Sequence, residues 1–435
     1  MGHPGFLSAF RERTYFPAFS SPDDFRGRLP TGSPGNFVFA TGIECSAPTI
    51  RHGRIRRDLL DECGHYARWR EDLALVRDFG LKFLRYGLPY HRVHIGPGRY
   101  DWDFADLAME EMRRLGITPI LDLLHFGVPD WLGNFQNPEL ALHFSDYAAA
   151  VAQRYPWVRY YTPVNEIYVT ARISAKDGLW NEQLKSDGAF VTALKHLVAA
   201  CILATHSIVQ HRPDAVIVPS ESAEFVHEAR LTPSPKSRQF NQHRFISLDL
   251  LYARPCDADT RAFLFDNGMS QPEYDWFMLS HRSGHHVLGI DYYGRNEHIV
   301  TPTGRRIPVE DVVGLYALGK EYYERYRKPL MHTETNVLKA EDGPRWLWKQ
   351  WLNVLRMRQD GIPVLGFTWY SLVDQVDWDI ALARKRGKVN GCGLYDLNRR
   401  PNPVAAEYRA LLQEYGQLSM LPHGPLFELT SLPAA

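Results

Sequence analysis

Short β-rich runs alternate with amphipathic helical stretches along most of this 435-residue chain, and that alternation constrains the fold more than any other feature. The β-rich runs fall at 37–41, 83–87, 119–123, 160–164, 216–219, 287–292, 329–333 and 364–369. Between and after them lie helical patterns at 69–79, 104–115, 144–154, 190–210, 312–327, 346–359 and 404–415. Repeated βα units require a parallel sheet, and eight of them predict a closed single (β/α)8 barrel of the α/β class. The expected organisation is an irregular N-terminal arm over 1–35, a catalytic barrel over 36–416 and a tail over 417–435 packed on the outside. The longest irregular zone, 221–286, is expected to shape or cover an active site, as long loops at the C-terminal face of barrels do.

Composition narrows the partners. Lys plus Arg and Asp plus Glu both number 50, so the net charge is zero, which argues against a nucleic-acid or anionic-membrane partner. No apolar run approaches the roughly 18–20 residues of a bilayer span, and no secretory signal is evident. Five scattered cysteines without a Cys-x-x-Cys spacing point to a reducing, cytoplasmic setting. His281 and His285 have an i, i+4 spacing, but Arg282 stands where a zinc-protease helix carries Glu. The expectation is therefore no metal and no cofactor. Eleven Trp and 22 Tyr are enough to furnish both a core and a cleft that stacks on sugar rings.

Two glutamates close β-rich runs, Glu166 in Thr-Pro-Val-Asn-Glu and Glu334 in His-Thr-Glu-Thr-Asn. A single Glu after a strand is usually solvated or a cap. Two at the ends of parallel barrel strands form the pair that glycoside hydrolysis uses, one to protonate the leaving oxygen and one to attack the anomeric carbon or activate water. The other strand ends supply matching chemistry. Arg85 in a barrel strand needs a carboxylate partner, and Glu334 is the expected one. His125 and Asn165 offer ring and amide groups to sugar hydroxyls. Asp291 and Tyr293 share a face by period-2 alternation, which places the Tyr293 hydroxyl near Glu334. Trp369 at the end of the eighth run, with Tyr370, Asp377 and Trp378 after it, suits a stacking platform with hydroxyl acceptors.

These segments, in order, resemble glycoside hydrolase family 1, retaining β-glycosidases built on (β/α)8 barrels. Pro163-Val164-Asn165-Glu166 is similar to the family's Thr-x-Asn-Glu-Pro, and Thr333-Glu334-Thr335-Asn336 to its Thr-Glu-Asn-Gly. Leu288-Gly289-Ile290-Asp291-Tyr292-Tyr293 resembles Leu-Gly-Ile-Asn-Tyr-Tyr, and Gly393-Leu394-Tyr395-Asp396 resembles the closing segment. The resemblance spans about 37–412 and implies Glu166 as acid/base and Glu334 as nucleophile. The chain also departs from the pattern. Pro163 and Ile167 flank the acid/base motif differently, Phe126 replaces a Trp, Asp291 replaces Asn, Tyr370 replaces the stacking Trp, and Asp377 replaces a Glu. Glu44 is the nearest counterpart of a sugar-binding Gln on the first strand. The expectation is a retaining β-glycosidase acting on a carbohydrate or glycoside other than simple glucosides and galactosides. The sequence leaves open a non-catalytic carbohydrate-binding protein, a transglycosylase, and the oligomeric state.

Overall fold

The computed structural model describes residues 36–228, 235–280, 284–301 and 306–420. Eight parallel strands form its centre: β1 (Val38–Gly42), β2 (Phe83–Gly87), β3 (Thr118–Asp122), β4 (Tyr160–Thr162), β5 in two pieces (Val216–Ile217 and Ser220–Ser222), β6 in two pieces (His285–His286 and Leu288–Asp291), β7 (Leu330–Glu334) and β8 (Val364–Trp369). Each strand pairs with the next, and β8 pairs with β1 at Val38↔Gly366 and Ala40↔Thr368. The lower piece of β5 meets that of β6 at Val216↔His285, and the upper pieces meet at Ser220↔Gly289. The sheet is thus a closed barrel. The predicted 216–219 run splits at Pro219, which has no N–H for the ladder, and β5 continues to Ser222.

A helix follows each strand: α1 (His65–Phe79), α2 (Asp103–Arg114), α3 (Leu140–Arg154), α4 (Asp187–His211), α5 (Ile246–Leu251), α6 (Gly314–Tyr326), α7 (Gly343–Gln359) and α8 (Pro403–Tyr415). Most begin one to four residues before the helical patterns marked in the sequence. α4 shows this well: Ser186 caps it by accepting from the Ala189 N–H. By length and composition α4 could cross a membrane, but 83% of its most apolar stretch is buried inside the protein. It is the core helix of the barrel's outer ring.

The zone 221–286 is more regular than expected. Besides α5 it carries helices Pro235–His243, Ala258–Asp266 and Gln271–Leu279, and a three-stranded sheet joins Phe225–Glu228 to Glu297–Val300 and Arg306–Pro308. Segments 229–234 and 281–283, the latter including His281, lie outside the described residues, as do the arm at 1–35 and the tail after 420.

Strand alternation sorts side chains into two cores. Phe37, Phe39, Phe367 and Trp369 face the helices. Val38, Ala40, Ile120, Val216, Val218, Met331 and Leu365 fill the lower barrel interior. Met420 joins this inner group, and Arg358 binds the Ser419 and Met420 carbonyls at 2.6 and 2.8 Å. The start of the tail therefore plugs the bottom of the barrel rather than packing outside it. The interior polar residues lie above this apolar layer, at the C-terminal ends of the strands.

Candidate active site

Alternation and two bulges decide what reaches the barrel mouth. Ile290 pairs with His332, whereas Asp291 pairs with Glu334, so Thr333 is an extra residue in β7. A bulge of this kind re-aims the following side chain. With Met331 and Thr333 inside, strict alternation would turn Glu334 outward; the bulge returns it to the interior. In β8, Met331 pairs with Gly366 and Leu365 is skipped. Gly366, Thr368 and Tyr370 then face inward.

Arg85 organises the floor. Its Nη1 donates to Glu334 Oε1, and its Nη2 donates to Asp122 Oδ2 at 3.1 Å and to Asn165 Oδ1 at 2.9 Å. Tyr293 O–H donates to the other Glu334 oxygen at 2.6 Å. Glu334 is thus gripped on both oxygens by charge-assisted hydrogen bonds. Burial, then the Glu334 charge, pushes the Tyr293 phenol well above its ordinary range, so it remains a donor. His125 Nδ1 bonds Asp122 Oδ2 at 2.9 Å, and its Nε2 lies 3.3 Å from Asn165 Nδ2. Burial disfavours a charged His125 imidazole, but Cys45 and Asp122 outweigh it and push the group up. Cys45 is itself raised by burial and stays a neutral thiol, so Asp122 is the effective partner.

Glu166 has a different environment. It stands just ahead of the short helix Ile167–Ala171 with φ 41°, a left-handed conformation sparsely used by non-glycine residues and a common mark of functional sites. Among the described residues, none donates a hydrogen bond to its carboxyl. Burial first, then the charges of Asp291, Glu334 and Glu221, raises it well above the carboxylate range. Glu221 points outward from β5 behind it, accepting from the Tyr168 N–H and from Ser247 Oγ at 2.6 Å, and burial pushes it up to about 7. Asp291 is completely buried; its Oδ2 accepts from Ser220 Oγ at 2.5 Å. Burial, then the Glu334 charge, raises it too. Both work against the charged form of Asp291 at this position.

A cleft of about 1670 Å³ opens above these groups, lined by Glu166, Glu334, His125, Glu44, Tyr293, Gln375 and Trp378 among others. Glu44 accepts from the Ser46 N–H and from Gln375 Nε2, each at 3.0 Å. Tyr370 lies beneath, stacked near His125 at 6.4 Å with the Arg85 guanidinium 5.7 Å from its ring centre. Gly42 makes room for it, since a Cβ there would meet the Tyr370 ring at 2.3 Å. One wall of the outer cleft is apolar, from Phe126, Val169, Ile173 and Trp378.

Two sequence-predicted residues lie elsewhere. Trp369 faces the helices, is fully buried and donates to the Cys392 carbonyl at 2.9 Å; the register of β8 turns it away from the cleft. Asp377 is also fully buried. It accepts from Arg57 Nη2 at 3.0 Å and from the N–H groups of Arg386, Gly387 and Lys388 at 2.7, 3.0 and 3.0 Å. Although burial works against it, these donors hold its carboxyl below the ordinary range. It anchors its own loop and has no capacity left for a sugar hydroxyl.

The sequence reading missed Asp122, Gln375 and Glu221. Asp122 was accessible to it, two residues after Ile120 on the inward face of β3. Gln375 sits in a segment already singled out, and Glu221 faces away from the barrel and carries no sequence signal. Cys45, Asp122 and His125 bring three metal-competent atoms within 4.8 Å of one another. Asp122 Oδ2 is already engaged by both Arg85 and His125, so the guanidinium stands where a cation would bind.

A closed (β/α)8 barrel with two buried glutamates in one cleft, one gripped by Arg and Tyr and the other without a donor, is the construction of a glycoside hydrolase. The family model described as Glycosyl hydrolase family 1 matches residues 52–249. Beta-glucosidase A of Thermotoga maritima is 22% identical over 379 residues, covering 75% of this chain and 81% of its own. Klotho of Mus musculus is 23% identical over 440 residues, covering 92% of this chain and 41% of its own. The solved family 1 β-glucosidase from Thermotoga maritima superposes with a TM-score of 0.74 at 18% identity, covering 88% of this chain and 99% of that one. These matches support membership of glycosyl hydrolase family 1.

Proposed function

We propose that this protein is a retaining β-glycosidase, with Glu334 as nucleophile and Glu166 as acid/base. The observation that carries the reading is the opposition of environments. Arg85 and Tyr293 hold both oxygens of Glu334, while burial and neighbouring carboxylates favour the protonated form of Glu166. Two carboxyls in one site with environments this different mark a nucleophile and a proton donor.

In the first step a Glu334 oxygen attacks the anomeric carbon. The glycosidic C–O bond breaks and Glu166 gives its proton to the departing oxygen. Esterification removes the negative charge of Glu334, and Glu166 is then easier to ionise. In the second step Glu166 takes a proton from water, whose oxygen attacks the anomeric carbon and expels Glu334 as carboxylate. His125, Glu44 and Gln375, which line the cleft, would bond the hydroxyls of the bound sugar, with Asn165 buried beside His125. The cleft is larger than the roughly 300–1,000 Å³ of ordinary small-molecule pockets, which fits a substrate that extends beyond one sugar ring.

The test separates the two roles. Glu334→Gln should abolish turnover of all glycosides. Glu166→Ala should slow substrates with poor leaving groups most, and added azide should restore release of the sugar as a glycosyl azide of retained configuration. Equal losses on activated and unactivated aryl β-glycosides, with no azide product, would remove Glu166 from the role.

A further inference from the structure

The barrel mouth carries a third carboxyl that the two-glutamate mechanism does not use. Asp291 stands in register with Glu334 across β6 and β7 and with Ser222 across β6 and β5. The groups facing it are Ser220 from β5, Thr333 and Glu334 from β7, Glu166 from the end of β4, Arg85 from β2, and Tyr293 just beyond β6. Asp291 Oδ2 takes the Ser220 hydrogen bond, and Oδ1 is buried without a partner.

The cations around this group are already engaged. Arg85 donates to Glu334, Asp122 and Asn165. His125 is held by Asp122. Arg172, farther out in the cleft, pairs with Asp177 at 3.1 Å and Glu224 at 2.8 Å. Among the described residues, Asp291 and Glu166 therefore sit beside the Glu334 charge with no ion-pair partner of their own. Buried carboxyls in that position cannot both ionise readily, and they lose their protons in two coupled steps.

The hydrogen bonds set the order of those steps. Asp291 has the Ser220 donor, and the Arg85 charge acts on it; both favour its ionised form. Glu166 has no donor among the described residues. We propose that Asp291 is a positioning residue for the general acid: its carboxyl ionises before that of Glu166, and the charge so placed keeps the proton on Glu166 and extends activity to higher pH. This inference rests on the reading of Glu166 as acid/base.

The test is the pH profile of kcat/KM on a 4-methoxyphenyl β-glycoside, whose poor leaving group needs the Glu166 proton. Asp291→Asn keeps the size of the side chain and removes its charge. The alkaline limb should move down by at least about one pH unit, and the limb measured with the matching 2,4-dinitrophenyl glycoside, which needs no protonation, should move much less. Ser220→Ala removes the donor that makes Asp291 ionise first. It should shift the alkaline limb in the same direction by a smaller amount, and it serves if Asp291→Asn does not fold. An alkaline limb unchanged in a folded Asp291→Asn enzyme, whatever the loss in kcat, would overturn the proposal while leaving the acid/base assignment intact. Failure of azide rescue in Glu166→Ala would overturn both.

Discussion

Replacing Asp377 by Ala separates a sugar ligand from a structural anchor. The side chains of Asp377 and Arg57 are both fully buried. Truncation removes the acceptor of one guanidinium N–H and three backbone N–H groups. Breaking a buried ion pair typically costs about 3–5 kcal/mol, because the remaining charge loses its partner. Two features favour the low end. Arg57 keeps Glu62, which takes Nε at 2.9 Å and Nη2 at 2.7 Å, and the Leu382 and Arg384 carbonyls. The 386–388 segment also has a wet side, since the Arg386 and Lys388 side chains are 41% and 57% exposed. A loss of about 3 kcal/mol is the expectation. With roughly 370 described residues and a melting entropy of about 2.1 cal/mol/K per residue, Tm should fall by about 4 °C. Asp377→Asn should do almost as badly, because its amide places a donor against donors. The folded carboxyl is held low, so its contribution is present above the unfolded Asp value near about 3.9 and fades as pH falls through the folded value. Wild type and variant should therefore converge in stability in acid. The assay is a thermal melt at several pH values beside kcat/KM at 25 °C. A Tm within 1 °C of wild type, with KM raised ten-fold or more, would show that Asp377 binds sugar and that its hydrogen bonds have been misjudged.

Tyr293→Phe removes a charge-assisted hydrogen bond to Glu334 worth about 1.5–3 kcal/mol, and kcat/KM should drop roughly 10- to 150-fold; a loss under three-fold would mean that Arg85 alone orients the nucleophile. Gln375→Ala should raise KM about ten-fold through a lost sugar contact, whereas an unchanged KM would place Gln375 outside the binding shell. Across a panel of 4-nitrophenyl β-glycosides, neutral sugars should be preferred over uronides and 6-phospho-sugars, and plain glucoside and galactoside should be poor substrates. High efficiency on plain glucoside, or a preference for an anionic sugar, would contradict the reading of the carboxyl-rich floor.

The barrel was legible because its constraint is periodic. Apolar runs of five or six residues separated by helical amphipathicity admit few folds other than a parallel sheet, and β2 and β8 have the bounds the sequence predicts. What the pattern does not carry are its interruptions. Pro219 divides β5, and the Thr333 and Leu365 bulges break the alternation of β7 and β8. Each shifts a side chain by one face, which no propensity registers. The helices of the 221–286 zone were obscured by prolines, although Pro272 sits in the first turn of Gln271–Leu279, where proline costs nothing.

The same distinction governs the site. Arg85, His125, Asn165, Glu166, Tyr293 and Glu334 could be named because strand ends are where a barrel places reactive groups. Trp369 and Asp377 were misassigned because membership of a motif does not fix the direction of a side chain. In Trp369 the face of the strand decides, and in Asp377 the demand of a buried arginine decides. Residues that act through others are harder to read. Asp122 matters because it bridges Arg85 and His125, and that bridge exists only once β2 and β3 lie side by side with Arg85 paired to Ile120 and Gly87 to Asp122. The Asn-to-Asp replacement at 291 is the sharpest case. In sequence it is a one-atom change from a neutral amide to an acid, and the natural reading adds a negative charge to the sugar site. In the folded protein burial, and then the neighbouring Glu334 charge, pushes this carboxyl well above its ordinary range. The substitution adds a group that can ionise, which an amide cannot. Its consequence falls on the proton of Glu166 rather than on the identity of the sugar.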